Sequence, residues 1–173
     1  MEQLHRMSVE EFKKSDKTPL VSVLDNIRSM SNIGSVFRTA DAFRLEGIYL
    51  CGITATPPHR EINKTALGAT DSVDWQYFSS TIECVEFLHK KGYYIISLEQ
   101  TENSVMLQDF AIKMLPVAIV IGNEVEGVSQ DVINKSDNVI EIPQFGTKHS
   151  LNVSVSCGIT VWEIIKKIIL QQQ

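Results

Sequence analysis

Cysteine is scarce in this 173-residue chain: Cys51, Cys84 and Cys157 are an odd number and contain no C-x-x-C pair. That excludes a disulfide-stapled scaffold and a thiol redox motif, and the three read as small buried apolar residues. The histidines, His5, His59, His89 and His149, show no H-x-x-x-H spacing, so no metal site is expected. Long apolar runs are missing as well. Stretches such as Leu115 to Ile121 fall far short of the roughly 18 residues that a membrane span needs. The first residues carry charge where a secretory leader would be apolar, and a cytoplasmic protein is expected. No G-x-G-x-x-G follows a strand and no G-x-x-x-x-G-K-[ST] occurs, which removes the signatures of dinucleotide and P-loop phosphate binding. Positive charge is in deficit too. Sixteen basic against 21 acidic residues give a net charge of −5, which argues against a general basic surface for nucleic acid.

What is present fits one globular domain. Apolar residues make up 43% and charged residues 21%, enough to bury a core. Charge is segregated: from Asn26 to Thr65, Arg28, Arg38, Arg44, Arg60 and Lys64 face only Asp41, Glu46 and Glu61, while acids gather from Glu99 to Glu141. A modest basic face on the N-terminal half is therefore compatible with the acidic total.

Periodicity alternates between strand and helix. Leu20 to Leu24 reads as a strand, Asn32 to Phe43 as a helix with Ile33, Val36, Phe37 and Ala40 inward, and Gly47 to Cys51 as a strand. Thr56-Pro57-Pro58-His59 is a loop. Thr81 to Lys91 reads as a helix and Tyr93 to Leu98, Val117 to Ile121 and Val139 to Ile142 as strands, before a last helix from about Leu151 to Leu170. The fold class is thus α/β with a mostly parallel sheet flanked by helices. Ser8-Val9-Glu10-Glu11 has capping-box spacing and predicts a short helix within an N-terminal arm, residues 1–19, ahead of a domain spanning 20–170. The last helix is apolar over more than one face: Val155, Ile159 and Trp162 form a stripe beside Val161, Ile164, Ile165, Ile168 and Ile169. A chain this short has few layers in which to bury such a helix all round, so a partner surface is expected.

Ligands of open parallel sheets sit beyond the carboxyl ends of strands. Three clusters place small and polar residues there. In Asn32-Ile33-Gly34-Ser35-Val36-Phe37-Arg38-Thr39-Ala40, Asn32 is placed to cap the helix and Arg38 interrupts its apolar run. In Ile121-Gly122-Asn123-Glu124-Val125-Glu126-Gly127-Val128, a buried strand opens into a turn bracketed by glycines, with Glu124 at its mouth. The third, Ile142 to Ser154, joins a strand to the last helix and offers exposed backbone groups suited to an adenosine.

In order and in spacing, these clusters resemble the three motifs of the SpoU/TrmH family of SPOUT methyltransferases, over about residues 20 to 168. The resemblance implies a C-terminal trefoil knot, against the usual avoidance of threaded chains, and a homodimer through the last helix and knot. It implies S-adenosylmethionine as cofactor, held around Leu98, Gly122, Ile142, Gln144, Ser150 and Leu151. It implies methylation of a ribose 2′-hydroxyl in tRNA or rRNA, with Arg38 handling the proton or stabilising charge near an RNA phosphate and Asn32, Glu124, Ser150 and Asn152 as its companions. No metal enters. The family often has glycine at position 44, methionine at 144 and alanine at 157, where this chain has Arg44, Gln144 and Cys157. No appended RNA-binding domain is expected, so recognition falls to the catalytic domain, its arm or a partner. Methylation of a base, a non-catalytic RNA or S-adenosylmethionine binder, and a small-molecule methyltransferase are the alternatives.

Overall fold

The computed structural model describes residues 7–148 and 150–171, and among these seven strands form one sheet in which every pairing is parallel. In chain order the elements are α1 (Val9–Lys14), β1 (Thr18–Asp25), α2 (Met30–Ala42), β2 (Leu45–Cys51), α3 (Arg60–Ala66), α4 (Ala69–Ser72), β3 (Trp75–Phe78), α5 (Thr81–Lys90), β4 (Tyr94–Leu98), β5 (Val105–Met106), β6 (Val117–Ile121), α6 (Gln130–Lys135), β7 (Asn138–Glu141) and α7 (Val153–Gln171). The sheet order is β3-β2-β1-β6-β4-β7-β5. The chain runs outward from β1 to β3, returns to lay β4 on the far side, and then inserts β6 between β1 and β4.

Strand alternation decides the layers. Leu20, Leu24, Ile96, Ile119 and Ile121 point to the face covered by α2 and α7, where Ile33, Phe37, Val161 and Ile165 complete one core. Val21, Val23, Ile95, Ala118 and Val120 point to the other face, where Val85, Leu88 and Val132 of α5 and α6 complete a second. With both faces covered, the central strands are apolar throughout, and all five residues of β6 are buried. Both cores are close-packed hydrocarbon, and their burial is the main stabilising term.

The helix at the N-terminus is present, with Ser8 and Glu11 closing a reciprocal capping box and Phe12 buried in the first core. Cys51, Cys84 and Cys157 are free and buried. Burial pushes the Cys157 thiol up to about 12 against a small opposing pull from the Ser22 hydroxyl, so it behaves as an apolar residue. Short or exposed elements have no counterpart in the periodicity: α3, α4, β5, α6, and the edge strand β3, whose Trp75, Gln76 and Tyr77 are exposed in succession. Among the described residues no helix is long and apolar enough to cross a membrane. On α7, Val155, Ile159 and Trp162 are 49%, 39% and 53% exposed, whereas Cys157, Val161 and Ile164 are fully buried. The apolar width of this helix therefore exceeds what its own chain covers.

One departure from the resembling family has a structural consequence. Arg44 follows the last residues of α2 with φ 50°, and it turns the chain so that its carbonyl accepts from Thr18 N at 2.8 Å. A side chain in this left-handed region costs about 1 kcal/mol relative to glycine. Arg44→Gly should accordingly raise stability by about 1 kcal/mol, read as a higher urea midpoint at unchanged slope.

Candidate functional site

The parallel register lines up the carboxyl ends of four adjacent strands. Leu24 pairs with Ile121, Ile121 with Leu98, and Leu98 with Ile140. The residues that follow this row form the crest of the sheet where the strand order reverses, the place where α/β sheets bind ligands. A cavity of about 290 Å³ opens there, lined by Leu98, Glu99, Gln100, the segment 121–127, Glu141, Ile142, Gln144, Ser150, Leu151, Val153 and Ser156. All six residues expected to hold a cofactor, Leu98, Gly122, Ile142, Gln144, Ser150 and Leu151, lie on this one wall, and so does Glu124. His149 lies outside the described residues.

The 122–127 loop is folded back on itself. Asn123 and Gly127 exchange backbone hydrogen bonds at 3.1 and 3.0 Å, and the Asn123 side-chain oxygen accepts from Val125 N at 2.8 Å and Glu126 N at 3.1 Å. Its amide donates to Asn26 O at 2.7 Å, tying the loop to the end of β1. The return is so tight that a Cβ on Gly122 would overlap the backbone of Gly127 and Val128. Glu99 closes the structure from β4, accepting from Val128 N at 2.8 Å and Gln100 N at 2.9 Å.

Glu124 reaches out of this loop to the start of α2. Its carboxylate accepts from Arg28 N and Ser29 N, both at 3.0 Å, and from the Asn32 amide at 3.3 Å. It thus supplies a negative charge at the positive end of a helix. Burial pushes its carboxyl up, but the bonds donated by Arg28 N, its own N–H, Ser29 N and the Asn32 amide outweigh that and hold it below the usual carboxylate range. Asn32 is not the cap expected from the sequence. Ser29 is, with its hydroxyl accepting from Asn32 N at 3.3 Å, which places Asn32 in the first turn with its side chain free to bond elsewhere. An ionised carboxylate only accepts, so the Asn32 amide nitrogen must face Glu124. Its oxygen therefore faces the Asn152 amide, which donates at 3.1 Å. The Asn152 oxygen in turn caps α7, accepting from Ser154 N at 2.9 Å and Val155 N at 3.3 Å. Glu124, Asn32 and Asn152, one from each cluster, make a single hydrogen-bonded chain that binds the N-termini of α2 and α7 to the cavity wall.

Arg38 stands apart from the cavity. It projects from α2 into a neighbouring groove of about 470 Å³ that it shares with Ser35, Thr39, Ala42, Phe43, Lys64 and Thr65. Its side chain makes no hydrogen bond or ion pair among the described residues. The geometry thus brings Asn32, Glu124, Asn152 and Ser150 to the cavity and its rim and leaves Arg38 on the adjoining face of the same helix. Glu99 and Asn123 were not singled out from the sequence. Glu99 follows directly on the apolar run of β4, and Asn123 sits between the loop's first glycine and Glu124; both positions could have been read from those neighbours.

The charges of the two spaces are opposite. Among the described residues, Glu99, Glu124, Glu126 and Glu141 line the cavity and no lysine or arginine does, whereas the groove holds Arg38 and Lys64 and no acid. The cavity favours a cationic or hydroxyl-rich ligand over a phosphate; the groove favours an anion.

Comparison with known proteins gives these features a context. The model of the SpoU rRNA Methylase family matches residues 19–162. A putative TrmH family tRNA/rRNA methyltransferase of Staphylococcus saprophyticus is 32% identical over 92% of this chain and 63% of its own. The 23S rRNA (guanosine-2′-O-)-methyltransferase RlmB of Vibrio parahaemolyticus is 28% identical over 95% of this chain and 66% of its own. The chain thus spans a little under two thirds of the length of either relative. Among solved structures, an AdoMet-bound rRNA methyltransferase from Sinorhizobium meliloti superposes with a TM-score of 0.80 at 25% identity, covering 93% of this chain and 61% of its own. A TrmH/SpoU tRNA modifying enzyme of A. aeolicus superposes at 0.82 and 24% identity, covering 95% and 82%.

Proposed function

The chain belongs to the SpoU rRNA methylase family, and from that premise we propose that it transfers the methyl group of S-adenosylmethionine to a ribose 2′-hydroxyl of tRNA or rRNA. The observation that carries this reading is the pairing of an acid-lined cavity, tied through Glu124 to the start of α2, with a cation-lined groove farther along that helix. A sulfonium cofactor suits the first and an RNA backbone the second. The cavity is close to the lower end of small-molecule sites, about 300 to 1,000 Å³, and it is rich in backbone groups at Gly122, Ile142 and Leu151, which suit an adenosine.

S-adenosylmethionine supplies an electrophilic methyl carbon. The protein must hold the hydroxyl in line with it and manage the proton that the oxygen sheds. In this reading Leu98, Gly122, Ile142, Gln144, Ser150 and Leu151 hold the cofactor. Glu124, Asn32 and Asn152 fix where α2 stands relative to that wall, and Ser150 at the rim faces the ribose. Arg38 engages the nucleotide from the groove. A guanidinium is a planar cation with five donors and no acceptor, so stabilising the developing oxyanion or gripping the adjacent phosphate asks less of it than acting as base. The exposed stripe of Val155, Ile159 and Trp162 is the contact of a homodimer in this proposal, the C-terminal segment is knotted as in SPOUT enzymes, and the protein works in the cytoplasm on an arm of residues 1–19 and a domain of 20–170.

The test is transfer from methyl-labelled S-adenosylmethionine to total tRNA and to rRNA, followed by digestion to nucleosides and mass spectrometry. The label should appear in a 2′-O-methyl nucleoside. Label on a base, or in no RNA, would overturn the reading.

A further inference from the structure

Lys64 lies outside every role assigned so far. It belongs to α3, which packs so closely on α2 that a Cβ on Gly34 would overlap Ile62 O and the Thr65 hydroxyl. That hydroxyl also donates to Ser31 O at 2.9 Å. The fixed contact brings Lys64 to the groove that holds Arg38, giving it, among the described residues, two cations and no acid in a chain whose net charge is −5. The hydroxyls in the groove have their protons committed: Ser35 donates to Ser31 O at 3.0 Å and Thr39 to Ser35 O at 3.1 Å. An anion entering the groove therefore finds its side-chain donors in Arg38 and Lys64. The ion pair of Lys64 is with Glu61 at 2.7 Å, and the two side chains are 54% and 49% exposed. A surface pair of this kind contributes little and is readily exchanged for a stronger anion.

We propose that Lys64 binds a backbone phosphodiester of the RNA strand beside the nucleotide that Arg38 engages, so that it sets the affinity and register of the substrate and takes no part in the chemistry. The inference rests on the RNA methyltransferase reading above.

The experiment compares the full chain with Lys64→Ala, Lys64→Arg and Glu61→Gln on an RNA that the unmodified protein methylates. KM for RNA, kcat, cofactor affinity and the salt dependence of RNA binding are measured for each. Lys64→Ala should raise KM about tenfold, the loss expected for one charge-assisted contact, with kcat and cofactor affinity unchanged. The slope of log affinity against log salt should become shallower by about 0.7 to 0.9, one phosphate's worth of released counterions. Lys64→Arg should restore both, and Glu61→Gln, which removes the competing carboxylate, should tighten RNA binding. An unchanged KM and salt slope in Lys64→Ala, or a loss confined to kcat, overturns the proposal. The unmodified protein separates the two failures: if it methylates RNA and Lys64→Ala matches it, the Lys64 assignment fails alone; if it methylates no RNA, the functional reading fails and the inference with it.

Discussion

Arg38→Ala should lower the single-turnover rate of methyl transfer to RNA by about a thousandfold or more, while the affinity for S-adenosylmethionine stays within about threefold. A thousandfold corresponds to about 4 kcal/mol of transition-state stabilisation, the scale of a charged donor aimed at a developing oxyanion. The two halves of the expectation come from different places in the fold. Arg38 lines the groove and not the cavity, and its side chain has no hydrogen bond or ion pair among the described residues whose loss would disturb α2. The chain from Glu124 through Asn32 to Asn152 is anchored at the other end of the helix and should persist. Arg38→Lys should also fall by about a hundredfold, because lysine keeps the charge and loses the planar fork that grips an oxyanion or phosphate from two nitrogens. Equilibrium cofactor binding and rapid-quench transfer separate these effects. Activity retained in Arg38→Ala, or cofactor affinity lost in parallel with it, would remove Arg38 from the proposed chemistry.

The sequence was most legible where apolar periodicity is strongest. β6 and the inward face of α2 were visible because Val117 to Ile121 is apolar throughout and Ile33, Val36, Phe37 and Ala40 keep helical spacing. Edge strand β3 was not visible, because it has only four residues and, at the rim of the sheet, leaves Trp75, Gln76 and Tyr77 all exposed, too short a segment to establish a period. The short helices α3 and α6 each bury only one or two residues, too few to leave a periodic signal. At the site, the residues expected at strand ends converge on one cavity because parallel strands in register end together. The reading of Asn32 as a cap was wrong for a specific reason. Ser29 is an equally good cap three residues earlier and is the one used, which leaves the Asn32 amide free to donate to Glu124, a partner 92 residues away that local sequence does not reveal. The location of Arg38 in a separate groove likewise depends on α3 packing against Gly34, a contact that has no trace in the local sequence.

Gly122→Ala is expected to cost about a hundredfold in affinity for S-adenosylmethionine and to destabilise the fold by about 1 to 3 kcal/mol, as overpacking of a tight interior does. Gly122 is the first residue beyond β6, and an added Cβ meets backbone atoms of Gly127 and Val128, which cannot rotate away as the tip of a side chain would. The loop must open to admit it. Opening breaks the paired bonds between Asn123 and Gly127, pulls Val128 N from Glu99, and shifts Glu124 from the N-terminus of α2. Displacements of about 1 Å at a binding site are enough for losses of this size. Gly146 provides the control. It lies on the segment between β7 and α7, a Cβ there meets nothing within 4 Å, and its φ is not in the left-handed region. Gly146→Ala should therefore leave cofactor binding and stability unchanged. Titration calorimetry with S-adenosylmethionine and urea unfolding on the two variants decide the matter. Equal affinities would mean that the folded-back loop is not what shapes the cavity, whereas a loss confined to Gly122→Ala ties cofactor binding to the close approach of Gly122 and Gly127.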